Sequence, residues 1–311
     1  MIHPSVSYMH SKNTMQPEAH QLLVDALTHL LPEAGHIEIM PGVIASRRHH
    51  PTALTPTIYT PALCLLAQGS KIFYVNQKSY MYDETHVMLF SINMPIVAQI
   101  VRATATEPLL GLRINLQPAM IATVVQKCFP TGIVSQTPTH GIMVHPTTND
   151  IIDAARRLIT LERTSASDTH IWPLIMEELL IRLLYSPIGH HLAHIGNPDT
   201  GMRHMTTAID WIRQHFHEPL HIRELADRTH LSASAFHVHF KALTGMTPLH
   251  YQKSLRLHEA RRLLHTTTLD VGEIGRHVGY QSASQFSREY RRLFGVAPSQ
   301  SKPGMRPNTP S

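Results

Sequence analysis

A unit written twice near the C-terminus constrains this chain more than any other feature. The first copy is IRELADRTHLSASAFHVHFKALTGMTP, Ile222 to Pro248, and the second is VGEIGRHVGYQSASQFSREYRRLFGVAP, Val271 to Pro298. With a single inserted residue the copies pair Leu225 with Ile274, Leu231 with Tyr280, Phe236 with Phe286, Phe240 with Tyr290, Leu243 with Leu293 and Gly245 with Gly295. A solenoid needs about three repeats or more to bury a continuous core. Two copies therefore point to a tandem pair inside one compact domain.

Each copy reads as helix, tight turn, helix. Ile222, Leu225 and Ala226 recur at helical spacing, and Ser232 after them is a good N-cap because its hydroxyl can accept an unpaired amide of the next helix. Phe236, Phe240 and Leu243 then form one stripe, closed by Gly245 and Pro248 as stop signals. In the second copy Val271, Ile274 and Val278 make the first helix, Gly279 the turn, and Phe286, Tyr290 and Leu293 the stripe that ends at Gly295. This is the sequence form of a helix-turn-helix, whose second helix enters a DNA major groove.

Subtracting the buried stripes leaves the outward faces. The first reader presents Ser234, His237, Val238 and Lys241, with His239 expected partly inward; the second presents Ala283, Ser284, Ser287, Arg288 and Arg291. Arg288 is the strongest single candidate for a base contact, since its planar fork matches the O6 and N7 acceptors of guanine. Lys241, Arg291 and Arg292 lie nearer the helix ends and suit phosphate contacts that fix position without reading sequence. Between the copies, Leu255, Leu257, Ala260, Leu263 and Leu264 give one apolar stripe, while Lys253, Arg256, Arg261 and Arg262 occupy the other faces, either solvated or against phosphate. A linking helix of about 17 residues spans roughly 25 Å, enough to hold two readers on one face of a duplex whose successive major grooves are roughly 34 Å apart.

The stretches LSASAFHVHFKALTGMTPLHYQKSLRLHEARRLL and IGRHVGYQSASQFSREYRRLFGVAPSQ resemble the AraC/XylS family of transcription regulators. The resemblance implies a seven-helix domain that binds an asymmetric DNA site through two helix-turn-helix units. It also places base reading at Ser234, His237, Val238, Ala283, Ser284, Ser287 and Arg288. Val238 departs from the polar or basic residue common there, and Gly275 stands where alanine is usual, at about 1 kcal/mol of helix stability.

Charge follows the same division. Residues 201–311 carry fifteen Lys and Arg against eight Asp and Glu, net +7, and the first two hundred carry twelve against fourteen, net −2, which together give the +5 of the whole chain. A basic third joined to a near-neutral remainder is the electrostatic footprint of a DNA reader attached to something else.

Length and composition shifts predict an α+β chain of two domains. A flexible arm covers 1–16, a cupin-like effector-binding and dimerisation domain 17–186, a Pro-, Gly- and His-rich linker 187–201, and the DNA-binding domain 202–300 with helix-turn-helix units at 222–245 and 271–295. Residues 301–311 read as a disordered tail. The N-terminal domain opens with a helix at Glu18–Leu31, then runs through short β-type segments bounded by turn residues, as in a small barrel or jelly roll. Helical patterns return at Pro118–Phe129, Asn149–Glu162 and Ile171–Tyr185, the last rich enough in Ile and Leu for a core or a subunit interface. Ile58-Tyr59, Pro61, Leu63-Cys64, Gln68-Gly69, Lys71, Tyr80, Tyr82-Asp83 and Ser91 to Pro95 resemble the N-terminal domain of one AraC-type subgroup. That resemblance implies a cupin-like barrel that senses a small molecule, followed by helices that dimerise the protein.

Cys64, within the strand-like LCLL, is a candidate sensor thiol, set against the ordinary buried cysteine of a cytosolic protein. The chain has twenty-five histidines, but His49-His50 and the group His190, His191 and His194 read as loop residues without carboxylate or thiol ligands at a defined spacing. No metal or other cofactor is expected, and no nucleophile elbow, phosphate loop or paired-carboxylate motif suggests an enzyme. No signal peptide or long apolar run is present, so the expected location is the cytoplasm, with no membrane partner. The expected partners are double-stranded DNA, RNA polymerase, an unidentified small-molecule effector and a second copy of the chain. Two readings stay open: an effector-responsive activator, or a DNA-binding protein whose N-terminal domain only dimerises.

Overall fold

The computed structural model describes residues 17–75, 78–131, 140–161, 166–196 and 201–301. The expected arm (1–16), part of the expected linker (197–200) and residues 302–311 of the expected tail lie outside the described residues.

The N-terminal half begins with helix α1 (Pro17–Leu30) and continues as β1 (Gly35–Met40), β2 (Val43–Arg48), β3 (Thr55–Tyr59), β4 (Ala62–Gln68), β5 (Ser70–Val75), β6 (Lys78–Asp83), β7 (His86–Phe90), β8 (Met94–Arg102) and β9 (Leu109–Asn115). Helix α2 (Pro118–Cys128), strand β10 (Ile142–Pro146) and helices α3 (Asn149–Thr160), α4 (Ala166–Leu184) and α5 (Gly189–Gly196) complete it. The strands form two antiparallel sheets, ordered β1-β2-β9-β4-β7-β10 and β3-β8-β5-β6. The expected β segments are all present, and β3 and β10 add two strands that the sequence pattern did not single out.

Period-two alternation sorts the larger sheet between two cores, because successive strand side chains point to opposite faces. Leu63, Leu65 and Ala67 of β4 pack outward against the helices, with Leu110, Leu112 and Ile114 of β9 beside them. Cys64 and Leu66 point between the sheets, where they meet Phe73, Tyr82, Met88 and Phe90. Gly69, at φ +93°, makes the turn from β4 to β5; a Cβ there would stand 2.7 Å from the Arg102 carbonyl oxygen.

Residues 189–196 of the expected linker are helical. Ile188, Leu192 and Ala193 supply an apolar face that joins the helix-side core, a pattern hidden in the sequence by the surrounding Gly and His. His190, His191 and His194 therefore lie on α5 and not in a loop, and His191 and His194 are buried.

The C-terminal part runs α6 (Gly201–Gln214), α7 (Ile222–Arg228), α8 (Ala233–Thr244), α9 (Pro248–Thr266), α10 (Val271–His277) and α11 (Ala283–Phe294), closed by a 3-10 turn at Pro298–Ser301. Its first half shares a continuous apolar cluster with the space between the sheets, from Phe73 and Phe90 to Phe236, Phe240 and Tyr251. Leu257, Leu263, Ile274, Phe286 and Tyr290 form a separate cluster in its second half.

Candidate nucleic-acid interface

The two readers, α8 and α11, are each 12 residues long and are started and stopped by the same devices. Ser232 Oγ accepts from the Ala235 amide at 3.2 Å, and Ser282 Oγ accepts from the Gln285 amide at 3.3 Å. Each cap satisfies one of the amides that a helix start leaves unpaired. At the other ends Gly245 and Gly295 adopt the left-handed conformation, at φ +71° and +78°, where a Cβ is disfavoured. Asp270 and Glu273 form a reciprocal capping box ahead of α10.

Burial fixes which face looks out. Phe236, Phe240, Phe286 and Tyr290 have no exposed surface, so rotating either reader would expose two aromatic rings at once. Opposite these stripes Ser234, His237, Val238 and Lys241 are exposed on α8, and so are Ala283, Ser284, Arg288, Arg291 and Arg292 on α11; Ser287 is partly buried. His239, expected partly inward, is exposed as well. Gly275 lets α10 and α11 pack closely, since a Cβ there would stand 3.1 Å from Phe286 Cδ1. Its helix-propensity cost therefore comes with a packing role.

The basic residues separate into two groups. The four on α9 are occupied within the protein. Lys253 Nζ donates to Glu289 Oε1 at 2.7 Å, and Arg256 donates to the carbonyls of Phe216, Gly279 and Glu218 at 2.6, 2.7 and 2.9 Å. Arg261 lies 5.0 Å over the Phe294 ring and Arg262 pairs with Glu259. Lys253 and Arg256 thus brace the two units, in place of the solvated or phosphate-facing roles open to them in the sequence. Burial alone would raise the Glu289 carboxyl, but hydrogen bonds from Lys253, Tyr280 and Gln285 hold it below its ordinary value. On the readers, by contrast, the side chains of Lys241, Arg288, Arg291 and Arg292 make no hydrogen bond or ion pair among the described residues.

Helix α9 has 19 residues, about 28 Å at 1.5 Å per residue. The barrel meets the first unit directly. The Gly141 amide donates to the Leu243 carbonyl at 2.9 Å, Tyr251 Oη donates to the Asn93 carbonyl at 2.8 Å, and Asn93 Nδ2 donates to Asp210 Oδ1 at 2.8 Å. A cleft of about 610 Å³ follows this seam, with Val75, Lys78, Tyr80 and His140 on one side and Val238 and Lys241 on the other. Cys64 is buried at 3% exposure, and that burial pushes its thiol up to about 11. Among the described residues no three His, Cys, Asp or Glu side chains are grouped to hold a metal ion, and no helix is long and apolar enough to cross a membrane.

A two-sheet domain packed against paired helix-turn-helix units on one bridging helix defines a two-domain DNA-binding regulator. Residues 39–191 match the AraC-type transcriptional regulator N-terminus, and residues 225–302 match a helix-turn-helix domain. The chain belongs to the AraC/XylS family of transcription regulators. It is 33% identical over 154 residues to the HTH-type transcriptional activator RhaS of Escherichia fergusonii, covering 49% of this chain and 55% of that protein. It is 30% identical over 129 residues to the HTH-type transcriptional regulator AlkR of Acinetobacter baylyi, covering 40% of this chain and 42% of that one. The matches thus span about half the length of these relatives. Two crystal structures of ToxT from Vibrio cholerae share the fold, each at 10% identity. The apo form has a TM-score of 0.55, covering 85% of this chain and 98% of that one; the form with bound unsaturated fatty acid has 0.54, covering 86% and 99%.

Proposed function

We propose that the protein is a sequence-specific, effector-responsive activator of transcription acting in the cytoplasm, and not an enzyme. The observation that carries this reading is the division of its basic side chains. Those on the bridging helix are occupied within the protein, Lys253 and Arg256 as braces, while the basic side chains of both readers project outward without a hydrogen-bond or ion-pair partner among the described residues. Arg288 reads a guanine edge and Ser234, His237, Ala283, Ser284 and Ser287 allow close approach or hydrogen bonding. Val238, 65% exposed, suits a thymine methyl. Lys241, Arg291 and Arg292 hold phosphates of the double-stranded DNA.

The N-terminal domain holds the effector, and the seam transmits its presence to the first reader. An effector shifts this arrangement only by binding one state more tightly than the other. The fatty acid on ToxT and the activator role named for RhaS support this part of the reading. RNA polymerase is the expected partner in activation. The exposed Ile171 and Leu174 of α4 support a homodimer, because apolar side chains grouped on a surface mark contact sites.

The test is selection of bound sites from a random DNA library by the purified protein, repeated with Arg288→Ala. One asymmetric motif of two blocks about a helical turn apart, one block relaxed in the variant, is the expected result. Salt-sensitive binding without sequence preference would leave only electrostatic attraction and would sink the reading.

A further inference from the structure

The second reader is held by a clamp built from residues that the first copy of the unit does not carry. Glu289 of α11 stands one residue beyond Arg288, at the margin between the buried stripe of Phe286 and Tyr290 and the exposed face. Both of its carboxylate oxygens are engaged. Lys253 Nζ of α9 donates to Oε1 at 2.7 Å, Tyr280 Oη in the turn before α11 donates to Oε2 at 2.7 Å, and Gln285 Nε2, about one helical turn earlier, donates to Oε1 at 3.2 Å. At the aligned positions the first copy has Leu231, Ala235 and His239, a set that cannot form the same network.

Lys253 lies between Tyr251 and Leu255, which share a core with Phe236 and Phe240 of the first reader, and the Tyr251 and Phe240 rings meet at 5.5 Å. The Lys253 side chain therefore crosses from the part of α9 seated on the first unit to the reader of the second. The Glu289 side chain is only 14% exposed and that of Lys253 31%, so the pair is shielded from the water that leaves most surface ion pairs nearly without effect. Glu289 is also the carboxylate whose charge bears on Arg256, Tyr280 and His250. Apolar burial is non-directional, so the stripe of α11 keeps the helix on α9 but tolerates a small roll about its own axis. Charge-assisted hydrogen bonds to α9 and to the turn are directional and remove that roll.

We propose that Glu289 is a positioning residue: clamped by Lys253 and Tyr280, it sets the roll of α11 relative to α8 and thereby the spacing of the two half-sites that the protein accepts. One base pair inserted between the half-sites carries the second about 3.4 Å along the duplex and about 35° around it. A reader held at fixed roll cannot follow that rotation, whereas one resting on its apolar stripe alone follows part of it. The inference rests on the reading of α8 and α11 as the helices that contact DNA.

The test is binding titration of the full chain on operators that carry the two blocks selected by wild type, at their natural separation or with one base pair added or removed. Glu289→Ala, Glu289→Gln and Lys253→Met are compared with wild type. Wild type is expected to prefer the natural separation by about tenfold or more, a loss of the size that one mismatched base pair produces. Glu289→Ala and Lys253→Met should lose most of that preference and keep the base preference inside each block, because Arg288 and its neighbours are untouched. Glu289→Gln, whose amide oxygen still accepts from Lys253 or Tyr280, should stay closer to wild type. If Glu289→Ala does not fold, Lys253→Met, at a partly exposed position, carries the comparison. Weakening by the same factor at every separation would make Glu289 a stabilising residue only and overturn the positioning role. Relaxed base preference in the second block at unchanged spacing would make it a base contact and overturn that role as well. Wild type without any sequence preference would remove the DNA reading itself, a failure visible before any variant is measured.

Discussion

Arg256 reaches from the middle of α9 into the turn of the second helix-turn-helix, where its Nη1 donates to the Gly279 carbonyl at 2.7 Å. The same guanidinium holds the Phe216 and Glu218 carbonyls that follow α6. One side chain thereby ties the segment leading into the first unit to the turn of the second. Hydrogen bonds to a charged group contribute about 1.5–3 kcal/mol each and are not additive within one network. Arg256→Met is therefore expected to cost about 2–4 kcal/mol in urea unfolding and to weaken binding to both halves of a DNA site. A variant that unfolds like wild type would show that the brace is dispensable.

Two glycines with positive φ provide a graded comparison. At Gly279 a Cβ would stand 2.2 Å from the His217 carbonyl oxygen, whereas at Gly295 nothing lies within 4 Å. Gly295→Ala should cost only the left-handed backbone strain, about 1–2 kcal/mol. Gly279→Ala must also displace His217 and should cost clearly more. Equal unfolding midpoints for the two variants would remove the steric argument.

Arg288 and Lys241 should fail in different ways on DNA. Removing a bidentate base contact costs about 1–3 kcal/mol and relaxes one position, while losing a phosphate contact weakens all sites alike and lowers the salt slope by about 1. Binding titrations of Arg288→Ala and Lys241→Ala across salt concentrations and single-base operator variants should separate the two patterns. Uniform weakening by Arg288→Ala would reassign it to the phosphates.

Acid should loosen the fold before carboxylates protonate. Burial and the nearby His190, His194 and His140 lower His191 to about 4, and burial with Arg261 lowers His258 to about 4. Unfolded histidine titrates near 6.5, so between about pH 6.5 and 4 the unfolded chain binds more protons and stability falls as pH falls. Each group contributes at most about 1.4 kcal/mol per pH unit, and less for His258, which is partly exposed. Thermal melts of His191→Gln with His258→Gln should show a flatter decline over this window than wild type. Identical slopes would mean that neither ring stays neutral in the fold.

Cys64 offers a labelling test. At neutral pH a thiol held near 11 is almost entirely protonated, and the thiolate is the attacking species. Cys128, on α2, is partly exposed. Iodoacetamide should modify Cys128 well before Cys64 in the native chain, read by mass spectrometry of peptides. Faster modification of Cys64 would favour the sensor role expected from its sequence context.

The readers were the most legible part of the sequence because their evidence is local. Aromatic residues at helical spacing with a glycine after them mark both α8 and α11, and Ser232 marks the start of α8; the matching cap of α11, Ser282, emerges only from the structure. Strands β3 and β10 were less visible, since Pro56 and Pro146 interrupt segments that pair only with distant partners, β8 and β7. Helix α5 was hidden because its Gly and His residues read as a linker, and only packing on α2 reveals Leu192 and Ala193 as core. The bracing by Arg256 and Lys253 had no sequence signal at all. Their acceptors lie 23 to 40 residues away, and a basic residue on a helix looks the same whether it faces phosphate or a carbonyl.

The contact from Gly141 to Leu243 joins two main-chain groups, and that choice of atoms has an evolutionary consequence. Side chains on either domain can drift to suit a new ligand or a new operator without erasing it, because every residue but proline carries the donor. Steric access sets the remaining condition, since a Cβ on Gly141 would lie 2.7 Å from Ile92 Cγ1 and 2.9 Å from the Leu243 carbonyl oxygen. Changes of side chain on either side of the seam can thus leave this main-chain contact in place, beside the side-chain contacts of Tyr251 and Asp210 with Asn93, so long as one α-carbon stays bare.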